Sequence, residues 1–141
     1  MIIADTGFWV ALANTKDKYH EASKRQLVRL SDAGETFITT WPVMTETCHL
    51  LLRDIGAAAQ STFIKNYRTG TFEVFEIGFQ DVERLELLMQ KYADLPMDLA
   101  DASLVILAEH LGHGRILSTD QRDFKTYRWK QREPFQNLLL P

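Results

Sequence analysis

Length, composition and charge limit the kinds of protein that this chain can be. Its 141 residues suit one domain, residues 1–141, with a single hydrophobic core. A mixture of 45% hydrophobic and 25% charged residues is ordinary for a globular protein and excludes a disordered chain, and a net charge of -3 excludes a protein that attracts polyanions over its whole surface.

The hydrophobic pattern alternates between strand and helix periods. In the first half it predicts a strand at 2–4, a helix after Asp5 that Thr6 caps, a helix at 19–30, a strand at 37–40, and helices at 43–55 and 57–67. In the second half it predicts a strand at 72–76, helices at 80–92 and 98–111, a strand at 116–119 and an edge strand at 135–140. This alternation predicts an α/β fold of three α/β/α layers around a mainly parallel sheet of four to five strands.

Four acidic residues stand at the starts or ends of predicted elements. Asp5 and Asp120 each follow a strand, Asp101 lies in the first turn of the clearest helix, and Glu46 lies in an early turn of another helix. Because parallel α/β sheets form their sites beyond the carboxyl ends of the strands, we expect these four side chains to face one cleft.

Four converging carboxylates point to a metal centre. Like charges a few ångströms apart repel, so some of the acids would take up protons unless a cation held them. Carboxylate and water oxygens are the ligands that Mg²⁺ and Mn²⁺ prefer, and these ions also bind phosphate. A bound Mg²⁺ or Mn²⁺ can orient a water and stabilise charge on phosphorus oxygens. The pattern therefore indicates phosphodiester hydrolysis.

Each acid also has a structural alternative. Asp5 suits an N-cap, and Glu46 suits an exposed position on a helix. Asp98, two residues after Pro96, suits an N-cap with Asp101 at the third helical position, where the helix dipole favours an acid. Asp123 suits the cap of a short helical turn. Spacing alone leaves these alternatives open.

Several stretches together resemble the PIN-domain family, particularly its VapC-like toxins from toxin–antitoxin pairs. Residues 1–7 (MIIADTG) resemble the opening strand and first acid of the family, and Thr45 with Glu46 resembles its helix-borne Glu. Residues 94–104 (DLPMDLADASL) and 118–124 (STDQRDF) resemble its third and fourth acidic motifs. The order and spacing agree over essentially the whole chain, and no acid of the pattern is missing.

The resemblance implies a metal-dependent endoribonuclease. It implies that Asp5, Asp101 and Asp120 lie near Mg²⁺ or Mn²⁺, directly or through water, and that Glu46 completes the group. The supporting residues that it implies are Thr6 and Thr119, through their hydroxyls, and Asp98 and Asp123, beside the main acids. It further implies an RNA substrate, a homodimer, and an antitoxin whose C-terminal segment blocks the cleft.

Basic residues are concentrated in two segments, and the later one, residues 115–132, surrounds Asp120. Candidates for nucleic-acid contacts in the later segment are Arg122, Lys125, Arg128, Trp129 and Lys130. A polyanion would bind to such a cluster, and the Trp129 ring suits stacking on a base. A solvated helix face is the commoner explanation of such a cluster when it is considered alone.

Rival functions fit the residues less well. A haloacid-dehalogenase-like enzyme would need an Asp where Gly7 stands, and a receiver domain would need an acid at Ala4. An RNase H-like nuclease would place antiparallel strands early, whereas helix follows Asp5. Two alternatives stay open: a catalytically inactive PIN-like module that binds RNA or protein, and a PIN nuclease of ordinary RNA processing.

The remaining features bear on location. Residues 1–5 lack the basic region and apolar run of a signal peptide, and no apolar run is long enough for a membrane span. The single cysteine, Cys48, excludes an internal disulfide framework. We therefore expect a cytoplasmic protein without a membrane partner.

Overall fold

Five parallel strands form the central sheet in a computed structural model that describes residues 1–141. The strands of the chain are β1 (Ile2–Ala4), β2 (Phe37–Thr40), β3 (Glu73–Phe75), β4 (Arg115–Leu117), β5 (Arg128–Trp129), β6 (Glu133–Pro134) and β7 (Gln136–Asn137). The central sheet has the order β3-β2-β1-β4-β7, whereas β5 and β6 form a separate antiparallel hairpin. The predicted parallel α/β/α fold is therefore confirmed, with five strands.

Helices connect the strands and lie on both faces of the sheet. They are α1 (Thr6–Ala13), α2 (His20–Asp32), α3 (Trp41–Asp54), α4 (Ala57–Arg68), α5 (Val82–Lys91), α6 (Leu99–Leu111) and α7 (Gln121–Thr126). A 3₁₀ turn at Phe79–Asp81 precedes α5. No helix has both the length and the apolar character that crossing a bilayer requires.

The hydrophobic core surrounds the middle of the sheet. Every residue of β1 is fully buried, and so are Ile116 and Leu117 of β4, because helices cover both faces of these central strands. Helix α6 is also buried on nearly all sides, from Ala102 to Ala108. Burying a side chain such as Ile or Leu stabilises the fold by about 1.5–3 kcal/mol each. This core fixes the ends of β1, β4 and α6, which carry three of the four acids.

The structure differs from the predicted elements at several points. Helix α3 begins at Trp41, directly after β2, because Pro42 is accommodated in a first helical turn. Helix α7 was expected only as a helical turn capped by Asp123, and the β5–β6 hairpin was not predicted, since elements of six and two residues are too short to show a periodic pattern.

Candidate active site

Asp5 and Asp120 follow neighbouring strands, and Glu46 lies in the helix that continues from a third strand. Strands β1 and β4 pair in parallel, with Ala4 opposite Leu117, and the Asp5 N–H donates to the Leu117 carbonyl at 3.0 Å. Asp5 therefore lies beside the segment that leads to Asp120. Strand β2 flanks β1 on its other side and continues directly into α3, which carries Glu46. The prediction that these acids share the carboxyl edge of the sheet agrees with this register.

Asp5 is the N-cap of α1, and both of its carboxylate oxygens accept hydrogen bonds. Its Oδ1 accepts from the Thr6 N–H at 2.7 Å, and its Oδ2 accepts from the Ser118 hydroxyl at 2.9 Å. Burial raises the pKa of Asp5 to about 6, with smaller contributions from the nearby charges of Glu46 and Asp120, although the two hydrogen bonds favour the ionised form.

Thr6 does not cap α1, contrary to the sequence-based prediction. Asp5 has the extended backbone and the accepting side chain of an N-cap, so Thr6 is the first helical residue. The Thr6 hydroxyl is buried and has no hydrogen-bond partner within the protein. A buried polar atom without a partner is costly, so the position of this hydroxyl is not explained by a hydrogen bond within the protein.

Asp101 is held at the start of α6 by two different contacts. Asp98 is the N-cap, and its Oδ1 accepts from the Asp101 N–H at 2.8 Å, as the sequence predicts. The Tyr127 hydroxyl donates to Asp101 Oδ2 at 2.8 Å. Burial, followed by the charges of Asp5 and Asp98, raises the pKa of Asp101 to about 8, although the Tyr127 hydrogen bond opposes this change.

Asp120 is the N-cap of α7 and is joined to the same cluster. Its Oδ1 accepts from the Asp123 N–H at 3.1 Å, and its own N–H donates to the Ser118 hydroxyl at 2.9 Å. Burial, and then the neighbouring Asp123 side chain, raise the pKa of Asp120. The prediction that Asp123 caps a helical turn is wrong, because Asp120 occupies that position and the nearly buried Asp123 lies in the first turn.

Glu46 is half-buried in α3 and has no side-chain hydrogen bond of its own. It is near enough to Asp5 for its charge to raise the pKa of that carboxyl. The alternative that Glu46 is a fully exposed helical acid therefore does not describe its position.

The donor set suits a hard divalent cation that keeps part of its water shell. Three carboxyls have raised pKa values in one cluster, and a bound cation would favour their ionised forms. No group of three or more Asp, Glu, His or Cys side chains is close enough to surround a metal ion directly. Mg²⁺ commonly takes one or two carboxylates and retains several waters, so the residues present fit such an ion.

Two residues of the site escaped sequence reasoning. Ser118 bridges Asp5 and the Asp120 backbone, and Tyr127 binds Asp101. Ser118 stands two residues before Asp120 at a strand end, which is a position where a hydroxyl can reach the neighbouring strand. No sequence pattern identifies Tyr127 as a site residue, because its contact with Asp101 depends on the length of helix α7.

Thr119 packs against the first turn of α1. A Cβ on Gly7 would lie 1.9 Å from Thr119 Oγ1, so the absence of a side chain at Gly7 makes room for this hydroxyl. Thr119 has no hydrogen bond that fixes a water or a carboxylate, and that implied role stays a prediction.

The basic candidates differ in how free their charges are. One guanidinium nitrogen of Arg128 donates to the carbonyls of Lys125 and Tyr127 at 2.8 and 2.9 Å. These bonds at the end of α7 use part of the hydrogen-bonding capacity of the guanidinium. Arg122 pairs with Asp123 at 3.3 Å but is 78% exposed, and Lys125 is exposed. The surface next to Asp120 therefore carries available positive charge.

Trp129 is half-buried in the β5–β6 hairpin. Its indole N–H donates to the Pro134 carbonyl at 3.1 Å, and the Lys130 ammonium lies 5.8 Å from the centre of its ring. These contacts fix the indole within the hairpin, and the predicted stacking on a base is not tested by them.

Asp5 and Asp120 follow adjacent strands of the parallel sheet, and Glu46 and Asp101 lie in early turns of helices. The chain is therefore an α/β domain whose site lies at the carboxyl edge of the sheet. The family model of the PIN domain matches residues 2–130, and the chain belongs to that family. The resemblance found in the sequence motifs is thereby confirmed.

Two proteins of Mycobacterium tuberculosis are similar to this chain. Ribonuclease VapC26 is 25% identical over 127 residues, which are 90% of this chain and 92% of that protein. The crystal structure of VapC20, described as a sarcin–ricin loop cleaving toxin, superposes with a TM-score of 0.76 at 22% identity and covers 86% of this chain and 92% of that one. The second similarity supports the fold.

Proposed function

We propose that this chain is a divalent-metal-dependent endoribonuclease and the toxin of a toxin–antitoxin pair. The observation that carries the proposal is the cluster of Asp5, Glu46, Asp101 and Asp120 at one edge of the sheet of a PIN domain. The similarity to Ribonuclease VapC26 over nine-tenths of the chain supports RNA as the substrate.

The residues that would hold Mg²⁺ or Mn²⁺, directly or through water, are Asp5, Asp101 and Asp120, with Glu46 completing the group. When bound, the ion supplies a water of lowered pKa and stabilises charge on the phosphate oxygens. Ser118 and Tyr127 orient the carboxylates with their hydroxyls. Exposed cations beside Asp120, such as Arg122 and Lys125, hold the RNA phosphates.

Cleavage of RNA by the purified protein tests this proposal. The substrates are total RNA and a synthetic hairpin with the sarcin–ricin loop sequence, because a related fold is described as cleaving that loop. We expect cleavage with Mg²⁺ or Mn²⁺, loss in excess chelator, and at least about 100-fold slower cleavage by Asp5→Asn and by Asp101→Asn, since an active-site metal contributes several kcal/mol. The exposed Glu83 of α5 gives the matched control Glu83→Gln, which should cleave normally.

The alternative of an inactive RNA-binding module has one observation in its favour, the lack of three directly converging ligands. That alternative predicts that RNA binds in a gel-shift assay but stays intact at every metal concentration, and that Asp5→Asn changes neither result. Undiminished cutting in excess chelator would instead contradict the metal dependence and leave the nuclease activity standing.

The toxin role and the partners need separate experiments. We propose that the chain forms a homodimer and that it has a cognate antitoxin. A toxin needs such an antitoxin to be harmless in its host. Expression of the chain should arrest growth, and coexpression of its cognate antitoxin, sought as a short reading frame next to its gene, should restore growth. A ribonuclease of ordinary RNA processing would share the active site but would not arrest growth, and light scattering would reveal a monomer if the dimer is wrong.

A further inference from the structure

Tyr127 follows helix α7, which begins in the fourth acidic motif, and its hydroxyl donates to Asp101 of the third acidic motif. We propose that Tyr127 is a positioning residue, which holds Oδ2 of the Asp101 carboxylate and so leaves Oδ1 as the oxygen that would bind a cation or its water. This inference rests on the proposed function, because it concerns the same metal centre.

The Tyr127 ring is rigidly held. Tyr127 is fully buried, and the rings of Tyr92 and Phe124 contact it edge-on, with centroids 5.0 and 5.2 Å away. Its backbone N–H donates to the Asp123 carbonyl at 2.9 Å, which ends helix α7. A side chain packed in this way has few alternative rotamers, so the hydroxyl is delivered to one place.

The hydroxyl then decides how Asp101 is oriented. The last torsion of an aspartate side chain is soft, so packing alone fixes the carboxylate plane poorly. The hydrogen bond of 2.8 Å from Tyr127 holds Oδ2, whereas Asp98 binds only the backbone N–H of Asp101. Oδ1 has no partner within the protein, and it is the oxygen left for a cation or its water. Hydrogen bonds of this kind orient the ligands of metal sites generally.

Helix α7 sets the distance between the two motifs. Asp120 caps its N-terminus and Tyr127 follows its C-terminus, so one six-residue helix carries an acid at one end and the support of another acid at its other end. Asp101 and Asp120 are therefore positioned relative to each other by α7, although 19 residues separate them along the chain.

The test is the affinity for Mn²⁺, measured by electron paramagnetic resonance of the free ion. Tyr127→Phe keeps the packed ring and removes only the hydroxyl, and we expect Mn²⁺ affinity to fall by about 10- to 100-fold, as for other supports of metal ligands. The matched control is Tyr92→Phe: it removes a hydroxyl of the same aromatic cluster that accepts from the Arg128 N–H at 3.1 Å and contacts no acid. Its Mn²⁺ affinity should stay that of the wild type.

RNA cleavage separates positioning from structural support. We expect Tyr127→Phe to need a higher Mn²⁺ concentration for half-maximal cleavage and to recover most of its kcat at saturation. Wild-type Mn²⁺ affinity in Tyr127→Phe, with affinity lost in Asp101→Asn, would overturn this inference and leave the proposed function intact. A wild-type protein that binds Mn²⁺ but cleaves no RNA would overturn the proposed function, while the affinities still decide the role of Tyr127. A wild-type protein that binds no Mn²⁺ would overturn both.

Discussion

A single hydroxyl, that of Ser118, joins two acids that are far apart in sequence. It donates to Asp5 Oδ2 and accepts from the Asp120 N–H, both at 2.9 Å, and Ser118 is fully buried. We expect Ser118→Ala to lower the free energy of unfolding by about 1–3 kcal/mol. The reason is that Asp5 Oδ2 and the Asp120 N–H would each lose the hydrogen bond that the Ser118 hydroxyl makes to them. Urea denaturation of the metal-free protein measures this loss.

The same substitution should also raise the pKa of Asp5, since the Ser118 hydrogen bond favours the ionised carboxylate. Carbon NMR of the Asp5 carboxyl follows this titration. The control is Ser103→Ala, which removes another buried hydroxyl. That hydroxyl is hydrogen-bonded to the Thr40 hydroxyl at 2.6 Å and makes no hydrogen bond to Asp5. Equal Asp5 titrations in the wild type and Ser118→Ala would show that the hydroxyl does not stabilise the carboxylate.

At the scale of elements, the first turn of α1 packs on the segment before α7. Gly7 lies inside α1, where Ala would ordinarily be favoured by about 0.5–1 kcal/mol. Here an added Cβ would meet Thr119 Oγ1 at 1.9 Å and Thr119 Cβ at 3.0 Å. We expect the clash to outweigh the helix propensity, so that Gly7→Ala destabilises the protein by about 1–3 kcal/mol in urea denaturation.

A double-mutant cycle decides whether Thr119 is the cause of that loss. Thr119→Ala removes the nearest atom, so Gly7→Ala should cost much less in the Thr119→Ala background than in the wild type. If Gly7→Ala costs the same in both backgrounds, the strain arises elsewhere in α1.

The elements also show how far sequence reasoning reaches. Helix α6 was predicted within one residue at its start, because Asp98 is a strong N-cap signal and Gly112 adopts the left-handed conformation that ends the helix. Helix α7 was expected only as a turn capped by Asp123, so the assignment of Asp120 as an N-cap and of Tyr127 as a contact of Asp101 was missed. A helix of six residues is specified by its tertiary contacts more than by local periodicity.

For the whole molecule, the sequence motifs predicted the fold and the four acids together, since the acids mark strand ends and helix starts. The hydrogen-bonded partners Ser118 and Tyr127 were not predicted, because they depend on strand register and on the path of the chain after Asp120. Local signals therefore place the charged groups of this site, and only the folded chain shows what orients them.

The raised pKa values in the acidic centre lead us to expect that the stability of the protein depends on pH and on divalent cations. The pKa values of Asp5 and Asp101 are raised to about 6 and about 8, above the ordinary value of 3.8 that applies in the unfolded chain. Over that range the folded protein binds more protons than the unfolded chain, so the free energy of unfolding falls as the pH rises. The slope is at most about 1.4 kcal/mol per pH unit for each carboxyl, and less for the partly exposed Asp101.

Urea denaturation from about pH 5 to about pH 8 measures this effect. In chelator, we expect the wild type to lose stability toward high pH because of these carboxyls, and Asp101→Asn to lose less between about pH 6 and pH 8. Excess Mg²⁺ should flatten the wild-type profile, since a cation favours the ionised carboxylates in the folded state and its binding releases the protons. Comparison of wild type with variant removes the contribution of other titrating groups. Profiles that coincide, with and without Mg²⁺, would mean that folding does not raise the pKa values of these acids and that they do not bind the ion.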